Sequence, residues 1–122
     1  MKKLVYSIFT LVFTLLVMNT NDVAGQNRMQ TREFLRRTHR VIEFAKQSVA
    51  EGKVYTGDVT KAVYHQRYAR ELFKEGKFDR AIHHSWRARE LAHAAIRANK
   101  HEVARDMDFQ ESERGLARNR PE

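Results

Sequence analysis

The fold is decided by residues 62–91, which read AVYHQRYARELFKEGKFDRAIHHSWRAREL. On both sides of Gly76, apolar and small residues recur at three- and four-residue spacing, the spacing of side chains that share one face of an α-helix. Gly76 is the residue type that most readily takes the positive φ at which helices end. Because the break between the two patterns is short, the two helices must run antiparallel. The stretch therefore predicts a helical hairpin, with helices over about residues 59–75 and 79–99.

A further helix is predicted upstream of the hairpin, over about residues 29–51. Its apolar face is formed by residues with the same helical spacing: Phe34, Thr38, Val41, Ile42, Ala45 and Val49. Gly52 follows the last apolar turn, where a left-handed C-cap is expected. Asp58 and Asp79 are the predicted N-caps of the hairpin helices, because a carboxylate accepts hydrogen bonds from free backbone N–H groups. The predicted fold is all-α, a three-helix and mostly antiparallel bundle.

The hairpin resembles a single tetratricopeptide repeat, a family whose two helices carry small and large residues at fixed places. The match runs from Ala62 to Leu91, and the residues that carry it are Ala69, Leu72, Gly76, Phe78, Ala81, Ala88 and Leu91. Small residues let the two helices cross closely. The chain holds one copy, has His65 where the family has an aromatic residue, and lacks the proline that ends the family's second helix. The resemblance implies a hairpin whose first helix lines a groove for an extended peptide or a helix of another protein.

Candidate partner-binding residues follow from the resemblance and from clustered cations. The groove-facing positions that the resemblance implies are Val63, Gln66, Arg70, Phe73 and Lys74. Arg67 lies close by on the same helix, and Arg36 and Arg40 belong to the arginine-rich face of the upstream helix. Guanidinium groups at this spacing can clamp a carboxylate through forked hydrogen bonds. The alternative is that the hairpin cations pair with Glu71 and Glu75 on their own helix, at about 0.2–0.5 kcal/mol for each pair.

The N-terminus has the pattern of a secretory signal peptide. Two lysines precede an uncharged, mostly apolar run over residues 4–18, and small residues follow at 23–25. We predict a signal peptide over residues 1–25, cleaved between Gly25 and Gln26, and a mature protein in the periplasm or outside the cell. The alternative is a membrane anchor, but a spanning helix requires about 20 apolar residues and this run is shorter.

The mature chain is expected to be one small, basic domain. A helical part over residues 26–99 is followed by a charged tail over 100–122, which we predict to be partly helical or disordered. The net charge is +8, and it falls to +7 when Lys2, Lys3 and Asp22 leave with the signal peptide. Such a surface attracts acidic peptides, anionic lipids and cell-wall polymers, although it can also serve solubility alone. Nucleic acid is not expected as a partner outside the cytoplasm.

The chain offers little for metal binding or catalysis. It has no cysteine, and its histidines are His39, His65, His83, His84, His93 and His101. No pair of these combines inward direction with the spacing of metal ligands on one helix, and His65 is expected level with Ala88, one turn from His84. No nucleophile, base and acid converge in the pattern, so we predict no enzyme, no metal and no cofactor. Trp86, the only tryptophan, either packs against a neighbouring segment or anchors a partner.

Together these observations predict a non-catalytic, exported protein-interaction module of the cell envelope that binds an acidic peptide or another envelope protein. The alternative is a basic protein that adsorbs to anionic membrane or cell-wall surfaces by charge alone. Self-association is a further alternative, because repeats of this kind usually need neighbours for stability.

Overall fold

The computed structural model describes the backbone of residues 2–117, and it describes the burial and contacts of Gly25 and of residues 27–116. This part of the chain holds four helices and no strand: α1 (Lys2–Gly52), α2 (Asp58–Lys74), α3 (Phe78–Ala98) and α4 (Glu111–Ala117). The all-helical class is confirmed, and the three long helices pack together as predicted. Residues that contact each other place α2 antiparallel to α3, since Tyr68 meets Arg80 and Gln66 meets Ser85 further along α3. They place α3 parallel to α1, since Thr38 meets Arg89 near one end and Gly52 meets Asn99 at the other.

Helix α1 differs most from the prediction. It was expected to begin near residue 29, but its helical backbone begins at Lys2. No proline interrupts it, and Gly25 is the only glycine before Gly52, at a cost of about 1 kcal/mol relative to alanine. The predicted signal peptide covers residues 1–25; the side chains of residues 1–24 and of Gln26, next to the predicted cleavage site, lie outside the described residues. Within the described part of the chain, no helix is both long and apolar enough to span a membrane.

The predicted caps are only partly correct. Gly76 takes the positive φ that the hairpin turn requires, at 78°. Gly52 is still helical, and it is Lys53 that adopts the left-handed conformation, with φ at 60°. A glycine is required at position 52 for a different reason, because a Cβ there would come within 2.3 Å of Oδ1 of Asn99. Asn99 in turn uses its amide group to bind both the backbone N–H and the carbonyl of Val54.

The two predicted N-cap aspartates lie one position or more inside their helices. The N-cap positions are Gly57 and Lys77, and neither makes a side-chain capping hydrogen bond. Asp58 and Asp79 occupy the first turn instead, where a negative charge is favoured by the helix macrodipole.

The core consists of two apolar clusters stacked along the bundle. The first joins α1, α2 and α3 around Val41, Ile42, Ala45, Ala62, Ala88, Leu91, Ala92, Ala95 and Ile96. The second is formed by Phe34, Leu35, Ala69, Leu72, Ala81 and Ile82. Buried alanines therefore form much of the α2–α3 contact, which lets these helices approach closely.

The C-terminal region is more ordered than the sequence indicated. We name residues 103–116 the C-terminal strap. Its apolar residues Val103 and Met107 pack on the first cluster, and Phe109 and Leu116 pack on the second. Helix α4 forms its last part. Helix α4 lies in the tail for which the sequence predicted either partial helix or disorder. Phe109 and Glu113 fasten the strap to α1 and α3, as described below; residues 118–122 lie outside the described part.

Candidate partner-binding surface

The surface where α1 and α2 run side by side carries most of the predicted binding residues. We name it the α1–α2 groove. It contains a depression of about 270 Å³ lined by Arg32, Leu35, Arg36, His39, Arg70 and Phe73. A second depression of about 140 Å³ is lined by His39, Ile42, Glu43, Lys46, Val63, Gln66, Arg67 and Arg70. Since His39 and Arg70 border both depressions, the two form one continuous groove.

The arginines of this groove differ in their partners. Nη2 of Arg70 donates to Nδ1 of His39 at 3.1 Å, which places the imidazole proton of His39 on Nε2. Arg36 pairs with Glu33 one turn away on α1. Neither Arg67 nor Arg70 forms an ion pair with any carboxylate of the described residues. The positive charge of these two side chains is thus available to a bound anion.

Lys74 and Arg40 are less well placed than Arg67 and Arg70 to bind an anion in the groove. Nζ of Lys74 lies 3.3 Å from Oε1 of Glu71. This lysine therefore pairs with a glutamate of its own helix, which was the alternative interpretation of the sequence. Both partners are exposed, and such pairs contribute little to stability. Arg40 is exposed on α1 and lines neither depression of the groove.

Gln66 was predicted to face the groove; it borders the second depression, but its side chain points into the bundle. Its side chain is only 3% exposed. Nε2 donates to the backbone carbonyl of Leu35 at 2.8 Å, and Oε1 accepts the hydroxyl proton of Ser85 at 2.9 Å. The reason is helical spacing: Gln66 falls between Ala62 and Ala69 on the buried face of α2. It joins all three long helices through hydrogen bonds and has no polar atom left for a partner.

The two apolar candidates are half-buried. Val63 packs against the first core cluster, and Phe73 packs against the second. The ring of Phe73 also lies beneath the guanidinium groups of Arg28 and Arg32, at 5.6 and 5.8 Å from its centroid. Phe73 therefore contributes an apolar wall to the groove and helps to position further cations.

A buried ion network joins the strap to the bundle, and the sequence analysis did not find it. Arg89 has no solvent exposure and donates to both carboxylate oxygens of Glu113, at 2.9 and 2.8 Å. Arg37 donates to the same carboxylate at 2.9 Å. Burial lowers the pKa of Arg89, and the hydrogen bonds and charge of Glu113 oppose that shift. The sequence did contain an indication that Arg89 is buried. Arg89 follows Trp86 by three positions and precedes His93 by four, and this face of α3 also buries Ile96.

Trp86 packs beside this ion network, between the strap and α1. Its ring stacks on Phe109 of the strap with centroids 3.6 Å apart, and on Phe34 of α1 with centroids 6.1 Å apart. Of the two roles considered for this tryptophan, the structure shows the packing one. Phe109 also contacts His93, whose Nε2 donates to the carbonyl of Met107 at 3.0 Å.

His65 and His84 form a pair across the α2–α3 hairpin. Their Nδ1 atoms are 3.2 Å apart, their ring centroids are 5.4 Å apart and their planes differ by 21°. The centroid separation is close to the N–N distance plus the two ring radii, so the rings meet edge to edge in an N–H···N hydrogen bond. The predicted one-turn offset is too large: Gln66 pairs with Ser85, which places His65 level with Trp86, only two residues from His84.

The two Nδ1 atoms face each other across 3.2 Å, which is a hydrogen-bonding distance between two imidazole rings. Within the described residues, no group of three or more histidine, cysteine or acidic side chains is arranged to hold a metal. Burial, with the positive charges of Arg87 and His83, lowers the pKa of His65. Burial lowers the pKa of His84 as well, with His83 and His65 adding to the shift.

Comparison with family models gives no match for this chain, and searches of curated proteins and of solved structures give none either. The resemblance to a tetratricopeptide repeat therefore stays a prediction.

Proposed function

We propose that this protein is a non-catalytic, exported interaction module of the cell envelope, and that its α1–α2 groove binds an acidic segment of another envelope protein. The observation that carries the proposal is the position of Arg67 and Arg70. They lie one turn apart on α2, at the edge of a groove with an apolar wall, and neither is paired with a described carboxylate.

The groove supplies two kinds of contact. Each guanidinium can make a forked hydrogen bond to a carboxylate, and hydrogen bonds to charged groups contribute about 1.5–3 kcal/mol. Phe73 and Leu35 give an apolar surface beside these charges. An acidic peptide with an aliphatic residue next to its carboxylates can make both kinds of contact. A partner that offers only negative charge would contact the arginines alone.

The test measures binding of a fluorescein-labelled peptide that alternates glutamate and leucine, by anisotropy at about 0.15 M salt, where screening limits charge effects to about 8 Å. The chain is expressed at full length in a host that processes exported proteins. We expect Arg67→Gln with Arg70→Gln to weaken binding about tenfold, equivalent to about 1.4 kcal/mol. The matched control, Arg87→Gln with Arg97→Gln, removes the same charge from exposed positions of α3.

The two double variants separate the proposal from its alternative. Equal losses in both would show that net charge alone governs binding, which is the behaviour of a protein adsorbing to anionic surfaces. If both variants also lose binding to anionic lipid vesicles equally, the result would directly support adsorption to anionic surfaces by charge alone. Unchanged peptide binding by the Arg67 and Arg70 variant would refute the groove.

A further inference from the structure

The C-terminal strap is held like a bound peptide, by two side-chain anchors four residues apart. Phe109 stacks on Trp86 and lies under the guanidinium of Arg89, 4.9 Å from ring centroid to Cζ. Glu113 receives hydrogen bonds from Arg89 and from Arg37 at 2.8–2.9 Å. The crevice between α1 and α3 therefore holds an aromatic ring followed, four residues later, by a carboxylate.

Further contacts reach the strap backbone and do not depend on its sequence. Nη2 of Arg37 donates to the carbonyls of Asp106 and Asp108 at 2.9 and 3.2 Å, and His93 donates to that of Met107 at 3.0 Å. Three consecutive carbonyl groups are thus held by side chains of the bundle. Receptors for short peptides combine main-chain hydrogen bonds with side-chain pockets in this way.

The receptor half of this contact is positioned without the strap. Arg89 also donates to Oγ1 of Thr38 at 3.0 Å and to the carbonyl of Phe34 at 3.1 Å, and its Cζ lies 4.4 Å from the ring centroid of Phe34. These contacts all come from α1. The cation is therefore fixed in place by the bundle, and it requires an anion whether or not the chain's own Glu113 supplies it.

The segment that leads from α3 into the beginning of the strap is irregular. Lys100 takes a positive φ of 61°, Val103 packs on the first core cluster, and residues 104–106 are exposed. The backbone hydrogen bonds that the structure describes for the strap stay within it, such as Met107 to Ala104 at 2.9 Å. The strap is fastened to the bundle through side chains of the bundle and through its own apolar residues. Once Val103 and Asp106 leave their contacts, residues 100–106 could span roughly 25 Å if extended.

We propose that the α1–α3 crevice is an interaction site for the strap of a second copy of this chain, occupied in the single chain by its own strap. The chain itself supplies the segment that fits, and the irregular connection is long enough to carry it to a neighbour. When two copies exchange their straps, each strap makes the same contacts that it makes in the closed single chain. The free-energy difference between the exchanged dimer and two closed monomers is therefore small. This inference is independent of the α1–α2 groove.

The first experiment shortens the connection by deleting residues 102–105 from the full-length chain, so that the strap cannot reach its own crevice. We expect a dimer in sedimentation velocity, whereas the unaltered chain is mainly monomeric at the same concentration. A shortened chain that is folded by circular dichroism but monomeric would overturn the proposal.

The second experiment remains informative if the deletion prevents folding. A protease site is inserted between Ala104 and Arg105, the folded protein is cut there, and a labelled peptide of residues 103–117 is added in excess. We expect the peptide to replace the cut segment, and a matched peptide with Phe109→Ala and Glu113→Gln to bind at least tenfold more weakly. No exchange would show that the strap is a fixed part of the core, and equal binding of both peptides would show that the crevice does not recognise Phe109 and Glu113; either result would overturn the proposal.

Discussion

Replacing Glu113 by alanine should cause a large loss of stability. The residue accepts three hydrogen bonds from Arg37 and Arg89 at 2.8–2.9 Å, and the side chain of Arg89 has no solvent exposure. Removing one partner of a buried ion pair costs about 3–5 kcal/mol, because the other charge is left in a low-dielectric environment. In a domain of this size 1 kcal/mol shifts Tm by about 4–8 °C, so we expect Tm to fall by about 12 °C or more.

The strap sets an upper limit to this loss. When the strap detaches, water can reach Arg89, so the cost of losing Glu113 cannot exceed the free energy that holds the strap in place. Thermal melting followed by far-UV circular dichroism measures the total loss. Hydrogen exchange locates it: amide protons of α4 should lose protection while those at the centre of α3 keep it.

Two comparisons make the result decisive. Glu111→Ala removes an exposed carboxylate from the same helix and should change Tm little. Arg89→Met with Glu113→Leu removes the fully buried cation and its counter-charge, and replacing a buried pair by apolar residues is often neutral or stabilising. Arg37, the third charge, keeps its hydrogen bonds to the carbonyls of Asp106 and Asp108. A Glu113→Ala protein that melts like the Glu111→Ala protein, or a double variant that is less stable than Glu113→Ala, would refute the assignment of this pair as a buried counter-charge.

The remaining predictions concern pH and close packing. His65, His84 and His93 have pKa values lowered from 6.5 in the folded protein, so the unfolded chain binds more protons and stability should fall as pH drops below about 6.5. Denaturant unfolding at several pH values should show this slope, and His65→Gln with His84→Gln should reduce it. Gly52→Ala should displace Asn99, whose Oδ1 would lie 2.3 Å from the new Cβ, and lower stability by about 1–3 kcal/mol through its lost hydrogen bonds.

Each of these predictions has a matched control. Gly115→Ala adds a methyl group where nothing lies within 4 Å, so it should not reproduce the loss seen at Gly52. For pH, the unaltered protein measured over the same pH range is the reference for the slope. A slope that persists unchanged after both paired histidines are replaced would assign the acid sensitivity elsewhere.

The sequence was sufficient to predict the helices whose signals are local. The α2–α3 hairpin follows from a repeated apolar spacing and from Gly76, and both act within a few residues of the turn. The binding role of the groove cations stays a prediction. The sequence placed Arg70 and Lys74 one helical turn apart on one face with Arg67 close by, and the structure pairs Lys74 with Glu71.

The polar interior could not be predicted in the same way. Gln66 and Arg89 stand at core positions of their helices, but their partners come from other helices and from the strap. Glu113 is 24 residues from Arg89 along the chain, and nothing in the local pattern connects them. A charged residue at a core position indicates that a counter-charge must exist; only the three-dimensional structure shows which residue supplies it.

The position of Trp86 gives this protein a built-in optical reporter. It is the only tryptophan in the chain, and its ring lies against Phe109, at the contact that closes the strap. Tryptophan emission shifts to longer wavelength when water reaches the indole, whereas circular dichroism follows the helices as a whole. Strap opening and global unfolding should therefore give two separable signals from the unlabelled protein, so the kinetics of the strap can be followed without attaching a dye.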